Sequence, residues 1–194
     1  MVKKRLSPEA RKREILAAAA KLITEKGYSH VTMEDVVEAT GLSKGGLYHY
    51  YKSVDDILYD LMVEGIRYWN DIIKGAMASY DGPIDPKFVA ESIVDKMLDD
   101  NPYMPVYVQF LLAKRRNGKL EKLFLKLKEQ TLEELNAFLF PKVGVQMNED
   151  MLDLLTDFIN TVILGSELLD ARDNFKNHRQ LLLAAAQNIL KSTV

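Results

Sequence analysis

An all-α fold is what this sequence predicts, and three observations carry the prediction. Apolar residues recur every three or four positions along most of the 194-residue chain, the period of one face of a helix. Helix-start signals, a Ser, Thr, Asp or Asn followed by Pro or by acidic residues, stand at Ser7, Thr32, Ser53, Asp85, Asn101 and Asn148. No stretch alternates apolar and polar residues as a half-buried strand does. The expected architecture is an amino-terminal three-helix domain holding a helix-turn-helix, joined by a long helix to a carboxyl-terminal helical domain. About nine helices follow from the start and stop signals.

In chain order, Ser7 and Pro8 open a first helix that runs to about Lys26, with Ile15, Ala19, Leu22 and Ile23 on one face and Gly27 ending it. That face is expected to pack on Val36, Val37, Leu42 and Leu47. Thr32, with Asp35 three residues on, caps a short second helix from Met33 to Thr40, which Gly41 stops. Leu42 plugs the turn, and Ser43 caps a third helix through Tyr50. Two short helices joined by a tight turn holding a Gly are the usual DNA-reading unit. Gly45 and Gly46 cost this third helix about 1 kcal/mol each relative to Ala, a cost that makes sense if its backbone must lie close to another surface.

Ser53, Asp55 and Asp56 open a fourth helix reaching to about Tyr80. Its length of about 25 residues spans roughly 37 Å, enough to reach from a reading head into a second domain. Further helices are expected over about 86–100, 102–117, 119–140, 148–171 and 178–191. Composition suits a folded chain: hydrophobic residues are 47% and charged ones 28%. No apolar run approaches a membrane span and no signal-peptide core follows Met1, so a cytoplasmic location without membrane association is expected. With no Cys, disulfides, Cys-based zinc sites and Cys nucleophiles are excluded. Net charge is −2, but unevenly spread. Residues 1–53 hold ten Lys/Arg against six Asp/Glu, an excess of +4; residues 54–194 hold sixteen against twenty-two, or −6. Positive charge gathered at one end fits a DNA contact.

Over roughly the first 60 residues, the order and spacing of Ile15, Leu16, Ala19, Leu22, Ile23, Gly27, Thr32, Val36, Ala39, Gly41, Leu42, Ser43, Gly45, Leu47, Tyr48, Tyr50, Tyr51, Ser53, Ile57 and Leu58 resemble the DNA-binding domain of the tetracycline-repressor (TetR) family of bacterial transcriptional regulators. Two positions depart from the family pattern: Val54 stands where Lys is usual and Tyr51 where Phe is usual. The first removes one phosphate contact, which Lys52 is placed to replace in part. The resemblance implies that Tyr48 and Thr32 donate hydroxyls to phosphates and that two chains pair through their last helices. It divides the chain into a DNA-binding domain, 1–53, and a ligand-binding and dimerisation domain, 54–194.

The expected DNA-reading surface is Thr32, Ser43, Lys44, Gly45, Gly46, Tyr48, His49, Tyr50 and Lys52, with Lys3, Lys4 and Arg5 as an arm beside it. Ser43 and the amides of the third helix suit a phosphate; His49 and Tyr50 are the candidates for base contacts. Aromatic and Met residues Met62, Trp69, Met97, Tyr103, Tyr107, Phe110, Phe124 and Phe158 are candidates to line a mostly apolar effector pocket, though core packing also accounts for each. The last two long helices are apolar on more than one face; burial within one subunit accounts for that, but Leu155, Ile159, Val162, Leu183, Ala186 and Leu190 are taken as a two-fold interface. The partners expected are double-stranded operator DNA of palindromic form, a second copy of the chain and a small-molecule effector.

No cofactor, metal site or catalytic group is expected, and the protein reads as a repressor rather than an enzyme. Gly41–Gly45 matches the G-x-S-x-G pattern around a nucleophilic Ser43, but that elbow needs a strand before the serine, and the preceding residues read as a helix. His30, His49 and His178 lack the spacing of a helical zinc site. Lys114, Arg115 and Arg116 end a helix, where cations favour the dipole. The rival reading is a helical dimerisation module that does not bind DNA.

Overall fold

A computed structural model describes residues 6–144 and 147–191. Among them are eleven α-helices, one 3-10 turn and no strand. The predicted arm of Lys3, Lys4 and Arg5 lies outside the described residues. By packing, the chain forms two compact units.

The first unit takes residues up to Gly65 together with Pro105–Leu123. It contains α1 (Pro8–Lys26), the 3-10 turn Tyr28–His30, α2 (Met33–Thr40), α3 (Lys44–Tyr50), the start of α4 (Val54–Ser79), most of α6 (Met104–Lys114) and the start of α7 (Gly118–Phe138). The caps that the sequence announces are in place. Ser7 Oγ accepts the N–H of Ala10 at 3.2 Å. Thr32 and Asp35 form a reciprocal capping box, and Gly41 ends α2 in the left-handed region at φ 63°. Ser43 Oγ accepts the N–H of Gly46 at 3.1 Å. Ser53 and Asp56 repeat the box at the start of α4, with Asp56 Oδ2 accepting the N–H groups of both Lys52 and Ser53. Each cap supplies partners for amides that a helix leaves unpaired. Ile15, Ala19, Ile23, Val36, Leu47, Ile57 and Leu58 are fully buried, whereas Leu22, Val37 and Leu42 are only half-buried.

The second unit is Ile66–Met104 with Phe124–Val194. Its core joins α5 (Pro86–Leu98), α9 (Glu149–Leu168) and α11 (Arg179–Lys191) through Phe88, Val94, Met97, Met151, Leu155, Leu183 and Ala186. Two short helices, α8 (Phe140–Val143) and α10 (Arg172–Asn177), add to those the sequence predicts. The first follows α7 directly and ends at Gly144, φ 72°. The second arises because Asp170 adopts φ 54° and breaks the run after α9. Arg172 then anchors α10: its guanidinium donates to the carbonyls of Leu98 and Asp99 and pairs with Glu167. Asn136 brackets Met147, accepting its N–H at 3.2 Å and donating to its carbonyl at 3.1 Å.

This core corrects the expected interface. Leu155, Val162, Leu183, Ala186 and Leu190 are buried inside one subunit, and Ile159 packs partly buried against the same cluster. The five buried side chains are already covered by their own chain and cannot meet a partner, whereas Ile159 keeps part of its surface. The large apolar residues that α9, α11 and the turn after α9 leave exposed are Leu154, Leu168, Leu169 and Leu181. The mistake is one of helical phase: both faces are apolar, so periodicity does not say which one turns inward.

Candidate nucleic-acid interface

The reading head is built by fixing α2 against α1 and setting α3 beyond a tight turn. Lys26, at the end of α1, pairs with Asp35 Oδ1 at 2.6 Å. The other Asp35 oxygen accepts the Thr32 amide at 2.8 Å and the Thr32 hydroxyl at 2.6 Å. Those contacts, Lys26 foremost, hold the Asp35 carboxyl well below its usual range. Thr32 is exposed, but its hydroxyl already donates to Asp35. To donate to a phosphate, that hydroxyl must turn away from the capping box.

Ser43, Lys44, Gly45 and His49 are exposed, while Gly46, Tyr48 and Tyr50 are half-buried. His49 and Tyr50 meet edge to face, 5.2 Å between ring centroids. Lys44 Nζ lies 5.8 Å from the Tyr48 ring centroid and 2.9 Å from Glu34 Oε1 on α2. That hydrogen bond raises the Lys44 pKa and lowers the Glu34 pKa. Lys52 Nζ donates to the Tyr48 carbonyl at 3.1 Å, capping the end of α3. The glycines differ. A side chain at Gly46 would sit 3.1 Å from Ser43 Oγ, whereas at Gly45 it would meet nothing within 4 Å. The fold itself therefore gives no reason for glycine at position 45.

Several neighbours carry no signal in the sequence pattern. Tyr51 is buried and its hydroxyl donates to Asp60 Oδ2 at 2.9 Å; Lys12 reaches the same carboxylate at 3.3 Å. Burial, then the Asp60 bond, pushes the Tyr51 phenol up. Asp60 thus makes a tyrosine acceptable at this core position. Tyr28 donates to Asp55, and its phenol is likewise pushed up, chiefly by burial. Glu34 and Lys44 are ten residues apart on different helices, so no helical period links them. Val54 is half-buried at the first turn of α4.

The other candidate chemistries find no support in the local geometry. Ser43 follows a helix and a turn rather than a strand, and its hydroxyl serves as a cap. His30 and His178 each set Nδ1 against a backbone carbonyl one turn earlier. Among the described residues no cluster of His and carboxylates suits a metal ion, and no helix is long and apolar enough to cross a membrane. The candidate pocket residues fall in both compact units. Met62, Tyr107 and Phe110 belong to the first, and Trp69, Met97, Tyr103, Phe124 and Phe158 to the second. Met97 is core, with Phe158 packed against that core.

A capped helix, a glycine turn and a second short helix presenting an exposed cation and thinned backbone define a helix-turn-helix DNA-binding protein. Residues 15–61 match the family described as bacterial regulatory proteins, tetR family. The chain is similar to the uncharacterized HTH-type transcriptional regulator YfiR of Bacillus subtilis, 38% identical over 58 residues. That match spans 30% of this chain and only 28% of YfiR. It is 22% identical over 181 residues to the biofilm operon icaADBC HTH-type negative transcriptional regulator IcaR of Staphylococcus epidermidis, covering 89% of this chain and 96% of IcaR. Its fold resembles Salmonella enterica GusR, with a TM-score of 0.73, 17% identity and 98% of each chain covered. Residues 15–61 thus belong with the amino-terminal domain of the tetR family, and these relatives are named as transcriptional regulators.

Proposed function

We propose that the protein is a homodimeric repressor that places α3 of each subunit in the major groove of one half of a palindromic operator, and that a small, mostly apolar effector releases it. Residues 1–53 read DNA and residues 54–194 hold the effector and pair the subunits. The observation that carries this reading is Gly45, a helix-weakening residue on an exposed face with open space around it. An external surface pressed against that backbone supplies the missing reason, and the phosphate backbone of a groove is such a surface. Ser43 and the α3 amides lie nearest that phosphate, Lys44 and Lys52 add charge, and His49 and Tyr50 face base edges. The name of IcaR describes a negative regulator, which favours repression.

Pairing is assigned to the exposed leucines Leu154, Leu168, Leu169 and Leu181, apolar side chains on or beside α9 and α11 that a four-helix contact between two copies would cover. Effector recognition is assigned to the second unit, where Trp69 Nε1 and Ser166 Oγ are buried without a hydrogen-bond partner. Such groups are costly unless something satisfies them. The effector acts through α4, whose 26 residues run from the first unit into the second. It changes operator affinity tenfold for each ~1.4 kcal/mol by which it prefers one α4 orientation.

Operator binding by fluorescence anisotropy, with DNA flanking the protein's own gene, tests the assignment. Lys44→Ala and Tyr48→Phe are expected to weaken binding about tenfold or more with helical content unchanged. Unaltered affinity in both variants contradicts the assigned reading surface.

A further inference from the structure

One concave site in the first unit has no part in the reading head. It is a cleft of about 500 Å³ between the 3-10 turn Tyr28–His30 and the carboxyl-terminal half of α6, lined by Tyr28, Ser29, Gln109, Leu112, Arg115 and Arg116. Both walls belong to the same compact unit. Its volume is that of a small-molecule site.

The charges around it are unevenly matched. Lys114 pairs with Glu121 at 3.3 Å. Among the described residues, neither Arg115 nor Arg116 has a carboxylate within salt-bridge distance. Their position at a helix end accounts for a preference for cations there, yet the helix does not need their side chains as caps. The carbonyls of Ala113 and Lys114 already accept the backbone N–H groups of Arg116 and Asn117, at 3.1 and 3.3 Å. Two guanidinium forks thus stand at a cleft with their donors uncommitted. The opposite wall adds the exposed hydroxyl of Ser29, and on the α6 side Gln109 contributes an amide whose Oε1 lies 3.5 Å from where a side chain at Gly27 would begin. Among the described residues no acidic one lines the cleft, and Asp55 of α4 accepts the Tyr28 hydroxyl.

We propose that this cleft binds a small organic polyanion, a metabolite bearing two or more carboxylate or phosphoryl groups. Arg115 and Arg116 grip the anionic groups in the bidentate manner suited to guanidinium, the Gln109 amide donates from the same α6 wall, and Ser29 donates from the turn opposite. Leu112 and Ala113 face the carbon skeleton. A ligand seated there ties α6 to the turn that ends two residues before the Thr32 cap of α2. It therefore biases the placement of the reading head, separately from an apolar effector in the second unit. Only this coupling to DNA rests on the proposed repressor function; binding of the anion does not.

The test is calorimetry of the full-length protein at low ionic strength with citrate and, separately, with pyrophosphate. Saturable binding of at least one probe is expected, weakened about tenfold or more in the R115A/R116A double variant and unchanged in Lys122→Ala, which alters an exposed lysine of α7 outside the cleft. Citrate binding alone assigns carboxylate ligands; pyrophosphate binding alone assigns phosphorylated ones. Hydrogen exchange at Tyr28–Val31 slows when the cleft is filled. No saturable binding of either probe, or equal affinity in wild type and the double variant, overturns the proposal. So does a double variant that loses operator affinity while neither anion binds the wild type, since the two arginines are then DNA contacts. Calorimetry involves no DNA, so failure of the cleft is distinguishable from failure of the repressor reading.

Discussion

Gly45 illustrates how a single residue separates stability from function. In an exposed helix, Gly→Ala stabilises by about 1 kcal/mol, and at position 45 a methyl group meets nothing within 4 Å. Gly45→Ala is therefore expected to raise the unfolding free energy by about that amount while weakening operator binding. Chemical denaturation and anisotropy on the same sample check both halves; equal or tighter DNA binding removes the argument that the backbone approaches a groove. Lys96 makes a different point. It lies on α5 with no acidic partner shaping its titration, and burial pushes its ammonium down to about 8 from the ordinary 10.5. A folded value below the unfolded one means that the fold bears the full cost of the charge below pH 8, and that the cost fades as pH rises from 8 to 10.5. Stability should thus increase across that window. Lys96→Met should remove the increase and stabilise the protein at neutral pH by roughly 2 kcal/mol, discounted for the partial exposure of the side chain. Urea titrations at several pH values decide it, and a variant as pH-dependent as wild type contradicts it.

Among the elements, those carrying their own punctuation are legible in the sequence. Ser7 with Pro8, Thr32 with Asp35, Ser53 with Asp56, Asp85 with Pro86 and Asn148 each mark a helix start within a residue or two, because capping is local chemistry. What is not legible depends on contacts between distant residues or on phase. Glu34 restraining Lys44 and Asp60 receiving the Tyr51 hydroxyl are tertiary facts. The inward face of α9 and α11 is misassigned by periodicity because both faces are apolar, and the break at Asp170 carries no Gly or Pro to announce it. The corrected face makes its own prediction. Leu168→Glu with Leu181→Glu alters side chains that are 50% and 69% exposed, so each subunit should remain folded while the dimer dissociates. Sedimentation analysis alongside circular dichroism reads both, and a dimer that persists in the double variant excludes this face.

At the scale of the whole molecule, the division of charge parallels the proposed division of labour. The amino-terminal 53 residues carry the positive excess and the remainder the negative one, so attraction to a polyanion is concentrated at one end while the acidic portion limits non-specific adhesion. The proposed DNA-reading domain is recognisable from sequence because residues 15–61 match a family pattern, one that contact with a shared surface, the double helix, would dictate. The proposed effector site is not: its candidates Met62, Trp69, Met97, Tyr103, Tyr107, Phe110, Phe124 and Phe158 are residues that any helical core also uses, and they fall in both compact units. The orphaned Trp69 Nε1 and Ser166 Oγ are signals that only the folded chain supplies.

The most direct measurement is the affinity of the full-length protein for a palindromic duplex as salt is raised. Two reading heads making about six phosphate contacts together predict specific binding by a dimer that falls roughly a thousandfold between about 50 and 200 mM salt. A protein that stays monomeric and shows no affinity for duplex DNA at the lowest salt contradicts the account at its centre.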